Sequence, residues 1–112
     1  MTPDELTRKL VLEAPGTEPD GLGGQLAAWT ALGTHWARVS PARGRDRSRG
    51  ALALGAVPAE IVVRGAPEGA ASRPVPGQRF REGARIWRVI AVAELDDAGS
   101  YLRCDAVEEA VQ

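Results

Sequence analysis

The chain has one cysteine and one histidine among its 112 residues, Cys104 and His35. An intrachain disulfide is excluded, and no zinc-ligand set can be assembled at any spacing. Synthesis in a reducing compartment, the cytoplasm, is the resulting expectation. No apolar run approaches the roughly 20 residues that a helical membrane span requires. The opening residues Met1-Thr2-Pro3-Asp4-Glu5 are acidic and lack the basic and apolar stretches of a signal peptide, so secretion by the general route is not expected. Charge of one sign is also missing, since the formal net charge is −1. That excludes a uniformly basic nucleic-acid binder and a uniformly acidic tail protein. Any electrostatic function must come from local segregation.

What is present describes short elements and many turns. Hydrophobic residues make up 44% and charged residues 26% of the sequence, close to globular averages, alongside 13 Gly and 8 Pro. A chain of this length is expected to form one domain over residues 1–112. Apolar residues recur mainly at period two, in segments of about five to ten separated by Gly, Pro and Asp clusters. In residues 7–13, Leu10 and Leu12 share one face, and Lys9, Val11 and Glu13 the other. Residues 14–21, rich in Pro and Gly, are expected to break this strand. A second strand is predicted over residues 25–40 with an interruption near Gly33, and it places Trp29 and Trp36 in the core.

Pattern fails over residues 41–56, which predicts a long loop, with a short helix allowed around residues 51–54. It returns at residues 58–64, where Ile61 and Val63 oppose Glu60, Val62 and Arg64. Residues 78–81 form a short segment, followed by a turn at Glu82-Gly83-Ala84. Residues 85–94 are the most strand-like, with Trp87, Val89, Ala91 and Ala93 on one face and Ile86, Ile90 and Val92 on the other. Asp96-Asp97-Ala98-Gly99 predicts a hairpin turn, after which Leu102, Cys104 and Ala106 face inward. Strands without long intervening helices predict an all-β fold, a small β-barrel or sandwich. Trp36 and Trp87, in the two best-patterned strands, are the predicted core aromatics.

Catalytic chemistry finds no support. Gly21-Leu22-Gly23-Gly24 lacks the strand-to-helix setting and the following Lys-Ser/Thr of a phosphate loop, and a hairpin turn accounts for it. His35 has no second histidine and no nearby cysteine to work with. Asp96 and Asp97 are explained by their turn, and Cys104 reads as a small buried hydrophobe. No catalytic residue, metal ligand or cofactor is therefore assigned, and the chain is not expected to be an enzyme.

Charge segregation is the feature that stands out. Residues 38–49 hold five Arg and one Asp, a local +4 within a total of −1, which leaves −5 for the remainder. Arg43, Arg45, Arg47 and Arg49 suit phosphate contact, because arginine donates several hydrogen bonds from a fixed charge without reading sequence. The bland reading is a solvated loop. No aromatic interleaves these arginines, which argues against base stacking.

The order Leu10-Val11-Leu12-Glu13, Asp20-Gly21-Leu22-Gly23-Gly24, Trp29, then Leu32-Gly33-Thr34-His35-Trp36-Ala37-Arg38-Val39 resembles the phage head-tail joining family, also called head closure or stopper proteins. Ile61-Val62-Val63-Arg64, the run from Arg79 to Trp87 and the acidic-turn hairpin continue the likeness. The Ala- and Arg-rich wording is most similar to versions carried by gene transfer agents. The resemblance implies a β-barrel neck protein that forms a ring of copies of itself. Its partners would be portal and adaptor proteins on the head side, tail terminator or tail tube proteins on the other, and packaged double-stranded DNA, with no membrane involved. It also implies that the loop after the second strand, about residues 41–57, reaches toward the channel. One departure is Gly65, where the family often has an aromatic after the strand-ending arginine. The alternative is a stand-alone SH3- or OB-like barrel that binds nucleic acid or peptide.

Overall fold

The computed structural model describes residues 2–42 and 56–109. After a 3₁₀ turn at Pro3–Glu5 come six strands: β1 (Arg8–Pro19), β2 (Gln25–Pro41), β3 (Val57–Arg64), β4 (Arg79–Glu82), β5 (Arg85–Glu94) and β6 (Tyr101–Glu108). All neighbouring strands pair antiparallel, and the sheet closes as a barrel in the order β1-β2-β3-β6-β5-β4. The period-two pattern predicted an all-β fold, barrel or sandwich, and the barrel that the family resemblance implies is what forms. Residues 42–56 connect β2 to β3, the position of the expected long loop. The allowed helix at residues 51–54 lies outside the described residues. Among the described residues no helix is long and apolar enough to cross a membrane.

Alternation decides which side chains fill the barrel. Leu10, Leu12, Ala37, Ile61, Val63, Phe80, Trp87, Val89, Leu102 and Cys104 point inward and are fully or almost fully buried. Polar neighbours on the same strands face out. Leu102, Cys104 and Ala106 take the inward positions that the sequence pattern assigned to them. The turn before them also matches: Asp96 Oδ1 accepts a 2.8 Å bond from the Ser100 amide, and Gly99 takes the positive φ of 68° that the turn needs.

Four expectations are corrected. Trp36 is not a core residue: it lies on the outward face of β2 beside Lys9 and is 55% exposed. Its neighbour Ala37 takes the inward position. Trp29 is likewise at the surface, 37% exposed, with the Arg79 guanidinium 4.0 Å over its ring. Residues 14–19 do not break β1, which runs through Pro15, Gly16 and Pro19 as one half of a hairpin with β2. Ala91 and Ala93 do not share a face with Val89, because a register shift between Val89 and Ala91 makes Ile90 an extra, exposed residue. Beyond that bulge the alternation flips, and Val92 packs against the core. The interruption near Gly33 has the same cause. Leu32 is the additional residue in β2, opposite the Leu12/Glu13 step, and Gly33 takes φ 147°.

Candidate functional site

The two ends of the barrel carry different equipment. At one end lie the N-terminal turn, the β4–β5 turn at Gly83, the end of β6, and the points where the β2–β3 connection leaves Pro41 and returns at Val57. Here two bidentate ion pairs brace neighbouring strands. Arg8 donates to Glu82 at 2.6 and 3.2 Å, and Arg85 donates to Glu108 at 2.6 and 2.9 Å. Both guanidinium groups also lie over the Trp87 ring, at 5.4 and 4.7 Å from its centroid. The buried indole thus receives two cations on its π system. Its Nε1 finds no hydrogen-bond partner among the described residues. A cleft of about 260 Å³ opens beside it, lined by Arg8, Val39, Pro41, Val57, Trp87 and Glu108.

Each pairing shifts a carboxylate. The hydrogen bond from Arg8 holds Glu82 below the usual carboxylate range, and the bond from Arg85 does the same for Glu108. Arg43, Arg45, Arg47 and Arg49 belong to the connection rooted at this end and lie outside the described residues. Only their attachment points, Ala42 and Ala56, are placed.

The opposite end carries the β1–β2 hairpin. β4 pairs with β1 only through Val11, Leu12 and Glu13. Beyond that point six residue pairs, from Ala14 with Thr30 to Pro19 with Gln25, bond only to each other. They form an arm about 20 Å long, given the usual rise per strand residue. Its tip is a tight turn in which Asp20 Oδ1 accepts bonds from the Leu22 amide at 2.7 Å and the Gly24 amide at 2.9 Å. Gly21 and Gly23 supply the positive φ angles, 82° and 86°. The glycine-rich run is hairpin chemistry, as its sequence setting indicated.

At the base of the arm sits a cluster that sequence reading missed. Glu13 is buried, and its two oxygens accept from Arg79 Nε at 2.7 Å and Arg81 Nε at 3.0 Å. Burial alone would raise its pKa, but the two arginine bonds outweigh that and hold it below the ordinary range. The signal was available: Arg79-Phe80-Arg81 puts two guanidinium groups on one face of a strand, with an apolar residue facing the other way.

Among the described residues no group of three or more His, Cys, Asp or Glu could hold a metal ion. His35 is half-buried edge-on to the Phe80 ring, 5.9 Å between centroids, and burial lowers its pKa. Burial pushes the Cys104 thiol up to about 12, so it stays protonated. The arrangement is a barrel braced by ion pairs, with different side chains at its two ends.

Comparison with known proteins assigns the chain to a family. The profile of the phage head completion protein family matches residues 1–109. The chain belongs to that family. Among solved structures, a chain of the virion of a native gene transfer agent particle is 47% identical, covers 95% of this chain and 96% of its own length, and superposes with a TM-score of 0.70. A solution structure of a Shigella flexneri 2a protein is 23% identical over the full length of both chains with a TM-score of 0.67, a likeness of fold. No curated protein matches the sequence. Family membership agrees with the resemblance found in the sequence. A Cβ at Gly65 would lie 1.9 Å from the Gly99 carbonyl oxygen, so the fold has no room for a side chain after Arg64.

Proposed function

We propose that this chain is a structural head-tail connector, a single-domain barrel that assembles as a ring between the portal and adaptor of a phage-like particle and its tail. The observation that carries the reading is the match to the head completion family over residues 1–109, joined to the 47% identity with a chain of a gene transfer agent virion. The two-ended geometry supports it. A connector needs one face toward the head and another toward the tail, and the arm and the β2–β3 connection leave opposite ends. In this reading the chain performs no catalysis and needs no cofactor. It is made in the cytoplasm and works in the neck.

Arg43, Arg45, Arg47 and Arg49 help retain packaged DNA in this proposal, through phosphates only. They carry a net +3 with Asp46 in a chain otherwise negative. Such contacts are independent of sequence and weaken steeply with salt, because each neutralised phosphate releases condensed counterions. Replacing all four by Ser is expected to leave the melting temperature unchanged and to increase nuclease-accessible DNA in assembled particles. A loop that instead docks on a neighbour's acidic surface predicts loss of tailed particles. Normal assembly with normal DNA retention would overturn the assignment of these arginines.

A further inference from the structure

The arm is under-stabilised as it stands. An isolated two-stranded hairpin is marginal in water, and apart from the Arg79 guanidinium over Trp29 the arm is unsupported by a third strand, since the pairs from Ala14 with Thr30 to Pro19 with Gln25 pair only with each other. One face presents Ala14, Gly16, Leu26 and Ala28, small and flat apart from Leu26, which is 51% exposed. Leu22 at the tip is 91% exposed. Residues 14–31 contain Glu18 and Asp20 and no Lys or Arg. An acidic, apolar projection of this kind requires a basic, apolar seat.

The same chain has one. On the outward face of β1 and β2, Lys9 stands directly opposite Trp36, and both are exposed. The arm cannot fold back onto this surface, because its six paired residues run away from the barrel beyond the last β4 contact. We propose that the arm of one copy docks on the outer β1–β2 face of the next copy. Glu18 and Leu26, a directly opposite pair on the arm, then meet Lys9 and Trp36, a directly opposite pair on the seat. Donor and acceptor surfaces differ, so the contact is heterologous, the kind that makes a ring when its rotation closes. The inference rests on the ring reading above and names its interface.

Charge reversal with rescue tests it in assembled particles. Glu18→Arg disrupts the arm, and Lys9→Glu disrupts the seat. Both positions are exposed, so each variant should fold with an unchanged melting temperature. Each change alone is expected to lower the number of tailed particles by at least about tenfold, because a like charge placed across an interface is strongly disfavoured, and both changes together should restore it to near wild type. Two defects without rescue, or no defect from either, would overturn the interface. A defect from Glu18→Arg alone would also overturn it, by assigning the arm to a different protein. Locating the wild-type chain in the same particles by reconstruction separates the two readings. A ring at the neck without rescue overturns only this interface, whereas a chain absent from the neck overturns the connector itself.

Discussion

Trp87 is where most of the barrel's large side-chain burial converges. It is fully buried, opposite Phe80 across β4 and β5, and flanked by two guanidinium groups. Truncation to Ala should cost about 3–5 kcal/mol, a large share of what a small domain has. Trp36→Ala, at an exposed position, should fall within about 0.5 kcal/mol of wild type. Thermal denaturation of both variants checks the pair, and equal losses would contradict the inward and outward assignment. Titration adds a second expectation. His35 has a folded pKa below its ordinary value of 6.5, so its contribution is fully present above 6.5 and is lost as pH falls through that range. Glu13, Glu82 and Glu108 are also held below 4.5, so theirs is present above 4.5 and lost at lower pH. Stability should therefore begin to fall as pH drops below 6.5, ahead of the loss from the carboxylates, and this early loss should be absent in His35→Gln. A wild-type stability that stays level until the carboxylates titrate would remove the His35 contribution.

At the scale of elements, the end of β3 is held against the β5–β6 turn by a backbone contact that tolerates no side chain. The Gly65 amide donates to the Ser100 carbonyl at 2.7 Å, and a Cβ would collide with the Gly99 carbonyl. Gly65→Ala should destabilise by about 1–3 kcal/mol, the cost of forcing backbone apart; denaturant unfolding that matches wild type would show the turn can yield. Strands inside the barrel were legible in the sequence because each buries one face, which imprints alternation. That is why residues 85–94 coincide with β5 and why Leu102, Cys104 and Ala106 face inward. Features outside the barrel left weaker traces. Pro15 and Pro19 signal a break in a covered strand, but in a free arm their missing N–H groups face no partner, and strand geometry continues. Bulges at Leu32 and Ile90 add one residue each and reverse the parity, so apolar residues fall on both sides of a strict period-two reading. Trp36 was misplaced for a related reason: an exposed tryptophan on a strand has the same sequence signature as a buried one. The charge cluster at residues 43–49 was visible at once, while the Glu13 cluster joins residues 66 and 68 positions apart and emerges only from the fold.

The whole molecule measures 49 × 32 × 22 Å, with a projecting arm at one end and the root of an arginine-rich connection at the other. A barrel this small offers limited area to each neighbour, and docking onto an already symmetric ring raises the effective concentration for every later subunit. The purified chain should therefore sediment as a monomer or weak oligomer, and a stable ring at micromolar concentration without partners would contradict assembly on the particle. The chain's place in the particle is decided by a reconstruction of particles from the producing cell, computed without imposed head symmetry at the neck. A connector forms a ring of six-stranded barrels between portal and tail there, with residues 43–49 of each copy expected to turn toward the DNA channel. Density for this chain in the capsid shell or the tail tip, or a neck complete without it, would rule the connector out.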